Sequence, residues 1–215
     1  MLLIGDIHAR WNGYIDILKS SGAKKSLQLG DFGLGFPYGI LDIDLSEVKG
    51  THQFLRGNHD NPKVCRKSKH YIGDYGILEG DYMDGMFTEL MYISGAWSID
   101  KDWRTPGVDW WEEEELSYQE LDEAVQFYIK KKPSIVCSHD CPTYILSHLY
   151  GSRVIPTRTG QAMDAMLDYC KPNYWFFGHH HQSFVRNIGG CTFVCLNELQ
   201  TLDISRRISY EVEIT

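Results

Sequence analysis

Five short segments of this chain carry side chains of the kinds that bind divalent metal ions. In chain order they are Asp6-Ile7-His8, Gly30-Asp31, Gly57-Asn58-His59-Asp60, Ser138-His139-Asp140 and Gly178-His179-His180-His181. Carboxylate, imidazole and amide oxygen are suitable ligands for manganese, iron or zinc. Any single segment could be a turn or a cap, but all five together indicate a metal site.

Two pairs of these residues are separated by one position. Asp6 and His8 project to the same side of an extended chain and can therefore reach one metal ion. His179 and His181 share this spacing, and His180 between them points to the opposite side and is expected to be structural.

Asp31 is the natural candidate for a carboxylate that bridges two metal ions, because it follows an apolar strand-like run. Two ions about 3.5–4 Å apart can clamp a phosphate and acidify a bridging water. We therefore expect hydrolysis of a phosphoester by a hydroxide that bridges two metal ions, without a covalent enzyme intermediate.

The five segments resemble those of the calcineurin-like metallophosphoesterase superfamily, and the similarity extends from Asp6 to His181. The resemblance implies that the first metal ion is held by Asp6, His8, Asp31 and His181. It implies that the second is held by Asp31, Asn58, His139 and His179. Manganese is the expected metal, with iron, zinc or nickel as alternatives.

The resemblance also implies catalytic roles for His59, Asp31 and Asn58. His59 would lie over the substrate, stabilise the phosphate and protonate the leaving oxygen. In protein Ser/Thr phosphatases, an Asp that partners this histidine and then an Arg follow the second segment. Here Phe32-Gly33-Leu34-Gly35 follows instead, so the group that orients His59 is open. Asp60 is adjacent and could cap the turn.

These departures favour the phosphodiesterase and nucleotide-cleaving branches of the superfamily. We expect a phosphodiester or nucleotide-like substrate. One alternative is a phosphomonoesterase, including a protein phosphatase, although Leu34 stands where the latter have Asp. Another is a non-catalytic scaffold with this fold. All eight matched positions carry competent residues, which favours an enzyme.

The segment from Ser94 to Arg104 resembles stretches of small bacterial and phage-type members of the superfamily. Arg104 is a candidate ligand for a substrate phosphate, because its guanidinium is planar and always charged, and a surface salt bridge is the alternative. Four tryptophans could stack on a nucleobase or sugar, or pack the loop, and we expect packing for most of them: Trp97, Trp103, Trp110 and Trp111. The acidic run Glu112–Glu115 is expected to be solvated.

The 215 residues fit one domain, residues 1–215, with a sizeable core. The net charge of −8 does not support nucleic-acid binding but allows a small phosphate-ester substrate. No apolar run could span a membrane, and the first leads directly into Asp6, so we expect a cytoplasmic protein. The six cysteines are interpreted as buried hydrophobic residues rather than a zinc site. Nothing in the sequence indicates the oligomeric state.

The pattern of elements predicts an α/β fold, a four-layer αββα sandwich of two mixed β-sheets flanked by helices. The metal site is expected at the strand ends. A capping box at Ser117 and Glu120 predicts the start of one helix, and Thr159–Tyr169 predicts another. The predicted strands are Leu2–Gly5, Ser26–Leu29, Gln53–Leu55, Met91–Ser94, Ile135–Cys137, Tyr174–Phe177, Thr192–Leu196, Thr201–Ile204 and Ile208–Ile214.

Overall fold

Two β-sheets form the centre of the computed structural model, which describes residues 1–37, 39–82, 86–151 and 154–205. The predicted strand Ile208–Ile214 lies outside the described residues. The strands are β1 (Leu2–Ile4), β2 (Lys25–Gln28), β3 (Thr51–Phe54), β4 (Tyr75–Tyr82), β5 (Met86–Ile93), β6 (Ile135–Ser138), β7 (Tyr174–Phe177), β8 (Phe184–Ile188), β9 (Cys191–Cys195) and β10 (Thr201–Asp203). The helices are α1 (Trp11–Ser21), α2 (Pro62–Cys65), α3 (Tyr118–Lys131), α4 (Thr143–Tyr150) and α5 (Arg158–Tyr169).

Both sheets are mixed. The first has the order β10-β1-β2-β3, in which β1, β2 and β3 are parallel and β10 is antiparallel to β1. The second has the order β4-β5-β6-β7-β9-β8, with a parallel centre from β5 to β9 and an antiparallel strand at each edge. The central strands are parallel, so their carboxyl ends meet at one rim, where ligands bind in open α/β sheets.

Three hydrophobic clusters separate four layers. One cluster lies between the sheets and contains Leu3, Leu27 and Phe176. Neighbours in sequence point the other way: Leu2 and Ile4 pack on the outer face, where α1 covers the first sheet. The third cluster lies between the second sheet and the helices α3, α4 and α5. The predicted four-layer αββα sandwich is therefore confirmed.

The helix α3 begins as its sequence predicts. Ser117 Oγ accepts a hydrogen bond from Glu120 N, and the Glu120 carboxylate accepts one from Ser117 N, which completes the capping box. The short helix α4 and the edge strand β8 were not predicted from the sequence. Among the described residues, no helix combines the length and the apolar character that crossing a membrane would need.

Candidate metal centre

The candidate ligands all follow the carboxyl ends of parallel strands. Asp6 and His8 come after β1, and Asp31 after β2. The second sheet contributes His139 after β6 and His179 after β7. Both sheets therefore place side chains at the same rim, although these residues are far apart in sequence.

The ligand atoms form two groups that share Asp31. The first group contains Asp6, His8, Asp31 and His181, and its atoms lie within 4.8 Å of one another. The second contains Asp31, His139 and His179 at the same mutual spacing. The two oxygens of Asp31 face different groups, with Oδ2 3.7 Å from His8 Nε2 and Oδ1 3.2 Å from His139 Nε2.

In the first group the imidazoles and carboxylates converge closely. His8 Nε2 and His181 Nε2 are 2.9 Å apart, and His181 Nε2 is 3.2 Å from Asp6 Oδ2. The hydrogen bond to Asp6 raises the pKa of His181. The buried Asp6 carboxylate also accepts from the backbone N–H of His179, which fixes the turn after β7. This donor set suits a divalent cation.

In the second group a backbone carbonyl aims the imidazole of His139. Its Nδ1 lies 2.7 Å from Leu29 O and must donate to it, which leaves Nε2 directed at Asp31 and Asn58. Burial lowers the pKa of His139, but Asp31 outweighs this and raises the value to about 10. Burial lowers the pKa of His179 to about 3, so this ring is a neutral imidazole that can bind a metal ion.

The amide of Asn58 is oriented from the loop after β5. Asn58 Nδ2 donates to Ser98 Oγ at 3.1 Å, which turns Oδ1 toward His139 Nε2 at 3.3 Å. Glu114 in turn accepts from Ser98 N at 2.7 Å and Ser98 Oγ at 2.6 Å. Ser98 and Glu114 were not recognised from the sequence as contributors to the site, because their role depends on contacts between distant segments.

The expectation of a solvated run at Glu112–Glu115 is wrong for its second half. Glu114 and Glu115 are only 2% and 8% exposed. Glu114 holds Ser98, and Glu115 accepts from the N–H and the hydroxyl of Thr159 at the start of α5. A carboxylate can be buried where such donors satisfy it, and nothing in a run of four glutamates distinguishes the two that find them.

Glycines leave room for the ligand side chains, and several of the ligands have an unusual backbone conformation. A Cβ on Gly57 would lie 2.2 Å from Asp31 Oδ1, and a Cβ on Gly178 would lie 2.2 Å from Asp6 Oδ1. The candidate ligands His8, Asp31, His179 and His181 all have positive φ, from 45° to 64°. Non-glycine residues in this region carry a strain of about 1–3 kcal/mol each, and such residues cluster at functional sites.

His59 has a cation beside its ring rather than a carboxylate. Arg104 Nη2 is 2.8 Å from His59 Nε2, and Arg104 Nε forms an ion pair with Asp100 at 2.8 Å. Burial lowers the pKa of His59, and although Asp31 opposes this, Arg104 lowers it further. Asp60 accepts hydrogen bonds from the N–H groups of Gly57, Phe32, Gly33 and Leu34, so it stabilises two turns.

His180 and the cysteines lie outside the two ligand groups. His180 Nε2 is instead 3.2 Å from Asp140 Oδ1 and 3.5 Å from Cys141 Sγ. All six cysteines are free, and all except Cys170 are buried.

The tryptophans of the loop have different environments, and three of the four are at least half-buried, as expected if most of them pack. Trp111 is buried, Trp97 and Trp110 are half-buried, and Trp103 is 91% exposed.

A family model decides the classification. The model of the calcineurin-like phosphoesterases matches residues 1–183. The chain belongs to this family. The two groups of candidate ligands have the carboxylate and imidazole donors that divalent metal ions bind, which agrees with this membership. No curated protein matches the chain.

Solved structures are similar to this calcineurin-like chain at low sequence identity. A putative 5'-nucleotidase from Staphylococcus aureus has 12% identity and a TM-score of 0.54, and the match covers 93% of this chain and 49% of that one. This chain thus spans about half of that protein. GAP50, the anchor in the inner membrane complex of Plasmodium, has 8% identity, a TM-score of 0.46 and coverages of 91% and 70%. An archaeal phosphodiesterase has 12% identity, a TM-score of 0.40 and coverages of 94% and 93%.

Proposed function

We propose that this chain hydrolyses a phosphodiester or nucleotide-like substrate with two divalent metal ions, most favourably manganese. The observation that carries the proposal is the position of Asp31 between the two ligand groups. Its Oδ2 faces His8 and its Oδ1 faces His139. A carboxylate that belongs to both groups is what a centre of two neighbouring ions requires.

Seven side chains would hold the two ions: Asp6, His8, Asp31, Asn58, His139, His179 and His181. When bound, the ions would supply positive charge for the phosphate and make a water acidic enough to act as the nucleophile. The hydrogen bonds of His139 to Leu29 and of Asn58 to Ser98 support this assignment, because they keep the ligand atoms directed inward.

His59 and Arg104 would act on the substrate. His59 would give a proton to the leaving oxygen, as a general acid does in ester cleavage, after a phosphate has drawn Arg104 away from Nε2 and Nε2 has taken up a proton from solvent. Arg104 would bind a phosphate oxygen, because its guanidinium reaches His59 and is held by Asp100 from behind. A phosphate that binds Arg104 also lies beside the histidine that protonates its leaving group.

The preference for a diester rests on the surroundings of His59. Among the described residues, no carboxylate forms an ion pair with its ring. Protein phosphatases place a carboxylate there, and this chain has Leu34 at the corresponding position, fully buried. A cationic partner in place of the carboxylate favours a substrate class other than phosphoproteins.

The deciding experiment compares hydrolysis of bis-nitrophenyl phosphate and nitrophenyl phosphate in manganese, with Asp31→Asn as the blank. We expect the wild type to cleave the diester and the variant to be inactive. A preference for the monoester would instead support the phosphatase alternative. A wild type that binds two metal ions but cleaves neither ester would contradict the enzyme and favour the scaffold.

We also propose that residues 1–215 form one domain and that the protein works in the cytoplasm. Six free thiols, five of them buried, suit a reducing compartment. Fractionation of cells that express the tagged full chain tests this location, and recovery of the chain outside the cytoplasm would contradict it.

A further inference from the structure

An apolar cavity of about 530 Å³ opens beside the candidate ligand His179. Its volume falls in the range of roughly 300–1,000 Å³ that is typical of small-molecule sites. The apolar part of its wall comes from three separate segments and consists of Trp97, Ile99, Leu146, Tyr150, Val154 and Ile155. The described part of the metal centre uses none of these six side chains.

Several of these apolar side chains remain exposed. Ile99 is 78% exposed, Ile155 55% and Tyr150 47%. Scattered exposed apolar residues are ordinary, but here three of them line one cavity next to a candidate metal centre. Such concentrated apolar surface marks a binding site.

The segment that carries Trp97 is rigidly attached to the metal centre. Ala96 and Ser98 are fully buried, and Ser98 is bonded to both Glu114 and Asn58. Since Trp97 lies between these two fixed residues, its ring is presented to the cavity at low entropic cost. A preorganised aromatic ring is well suited to stack on a planar ligand.

The charge of the cavity argues against an anionic occupant. Asp140 lines it together with Thr157 and His180, and the described lining contains neither Lys nor Arg. The nearby Lys101 Nζ lies 5.9 Å from the Trp97 ring centroid, on the loop. A second phosphate or a carboxylate would be repelled by Asp140, whereas a neutral heteroaromatic ring with N–H groups would find acceptors there.

We infer that this cavity binds the nucleobase of a nucleoside esterified to the phosphate held at the metal centre. This inference rests on the proposed function and narrows its substrate class. The phosphate would lie at the two ligand groups, and the base would extend past His179 between Trp97 and Ile155.

Two diesters separate this inference from the proposed function: the nitrophenyl ester of thymidine 5'-phosphate and methyl nitrophenyl phosphate. Both release the same nitrophenolate, and the remaining ester group is a nucleoside in one and a methyl group in the other. The kcat/KM of each is measured in manganese for the wild type, Trp97→Ala, Ile155→Asp and, as a control, Trp103→Ala. Trp103 is exposed and does not line the cavity.

We expect the wild type to prefer the nucleoside ester at least about tenfold, from base stacking. Trp97→Ala and Ile155→Asp should each reduce that preference about tenfold and leave the methyl ester unaffected, and Trp103→Ala should change neither. Hydrolysis of both esters without a preference, or with one that the two variants retain, would overturn the cavity assignment and leave the proposed function standing. If the wild type cleaves neither ester, the proposed function fails and this inference fails with it.

Discussion

Arg104 Nη2 lies 2.8 Å from Nε2 of His59. A guanidinium can only donate hydrogen bonds, so Nε2 must accept and the proton of the neutral imidazole is on Nδ1. The same guanidinium donates to Asn58 O at 3.2 Å, which ties it to the segment that carries a candidate ligand. Arg104 is therefore the polar side chain that holds the His59 ring, and no carboxylate of the described residues forms an ion pair with it.

Replacing Arg104 tests whether it binds the substrate phosphate. We expect Arg104→Ala to raise the KM for bis-nitrophenyl phosphate about tenfold or more, because a hydrogen bond to a charged group contributes about 1.5–3 kcal/mol. Arg104→Lys should recover only part of this loss, since an ammonium lacks the planar fork. Arg186→Ala, at an exposed position on β8, is the control. An unchanged KM in Arg104→Ala would refute the role.

Loss of His59 should depend on the leaving group. We expect His59→Ala to slow a diester with an alkyl leaving group about 10²–10⁴-fold, because that oxygen needs a proton. Nitrophenyl esters should lose much less. Rates of both esters are compared in the wild type, in His59→Ala and in His148→Ala, a histidine without an assigned role. Equal losses on both esters would remove His59 from the acid role.

The bridging position of Asp31 predicts a shared effect on both metal ions. Asp31→Asn keeps the shape and removes the charge, so we expect no activity and a loss of at least about tenfold in affinity at each site. Metal content after dialysis, measured by elemental analysis, should fall from two ions per chain. Asp16→Asn, at an exposed position on α1, is the matched control. Full wild-type turnover with one ion per chain would be incompatible with the bridge.

Glu114 is expected to support the metal centre through Ser98. Each carboxylate oxygen of Glu114 accepts one hydrogen bond from Ser98, and in Glu114→Gln one of these oxygens is replaced by an NH2 group. We therefore expect a decrease of about 1–3 kcal/mol in the free energy of unfolding. Activity should also fall, because the amide of Asn58 loses its fixed orientation. Urea unfolding and diester hydrolysis are measured beside Glu112→Gln, an exposed neighbour in the same run. Identical behaviour of the two variants would show that Glu114 has no such role.

Asp74 should make the stability depend on pH. Burial raises its pKa, but the Arg56 guanidinium 2.9 Å away, helped by Tyr71 and Arg66, outweighs this and lowers it below 3.8. The ionised Asp74 therefore contributes its full stabilisation at any pH above the pKa of Asp in the unfolded chain. This stabilisation is lost as the pH falls through the lower pKa of Asp74 in the folded chain. Because Arg56 is fully buried, Asp74→Asn should cost about 2–4 kcal/mol at pH 7.

The pH dependence of that cost is measured by urea unfolding of both proteins between pH 7 and pH 2. The difference between the wild type and Asp74→Asn should shrink below about pH 4. Asp122→Asn, exposed on α3, should show no such difference. If the difference in the free energy of unfolding between the wild type and Asp74→Asn stays the same down to pH 2, the ion pair is not its cause.

Much of the fold follows from local patterns in the sequence. The side chains of β1 alternate between two cores, with Leu3 in one and Leu2 and Ile4 in the other. The capping box at Ser117 marks the first turn of α3. The candidate ligands also lie at the ends of strands. The short apolar runs before Asp6 and Asp31 indicate this position in the sequence. These features depend on neighbours in sequence, so they can be recognised without a structure.

The remaining features depend on contacts between distant segments. Glu114 is buried because Ser98 lies opposite it, and Arg104 reaches His59 because the loop after β5 returns to the rim. The helix α4 has no capping side chain at its first residue, and its N-cap is Pro142, so its start is not marked in the sequence. Tertiary contacts therefore decide the parts of the site that local patterns leave open.

The division of the candidate ligands between the two sheets has a thermodynamic consequence. Asp6 and Asp31 follow strands of one sheet, and His139 and His179 follow strands of the other. Ions bound between them would link the two halves of the sandwich and bind only the folded chain. Each occupied site would then add RT ln(1 + [L]/Kd) to the free energy of unfolding, about 2.7 kcal/mol at one hundred times Kd. The melting temperature would thereby report metal affinity before any substrate is known.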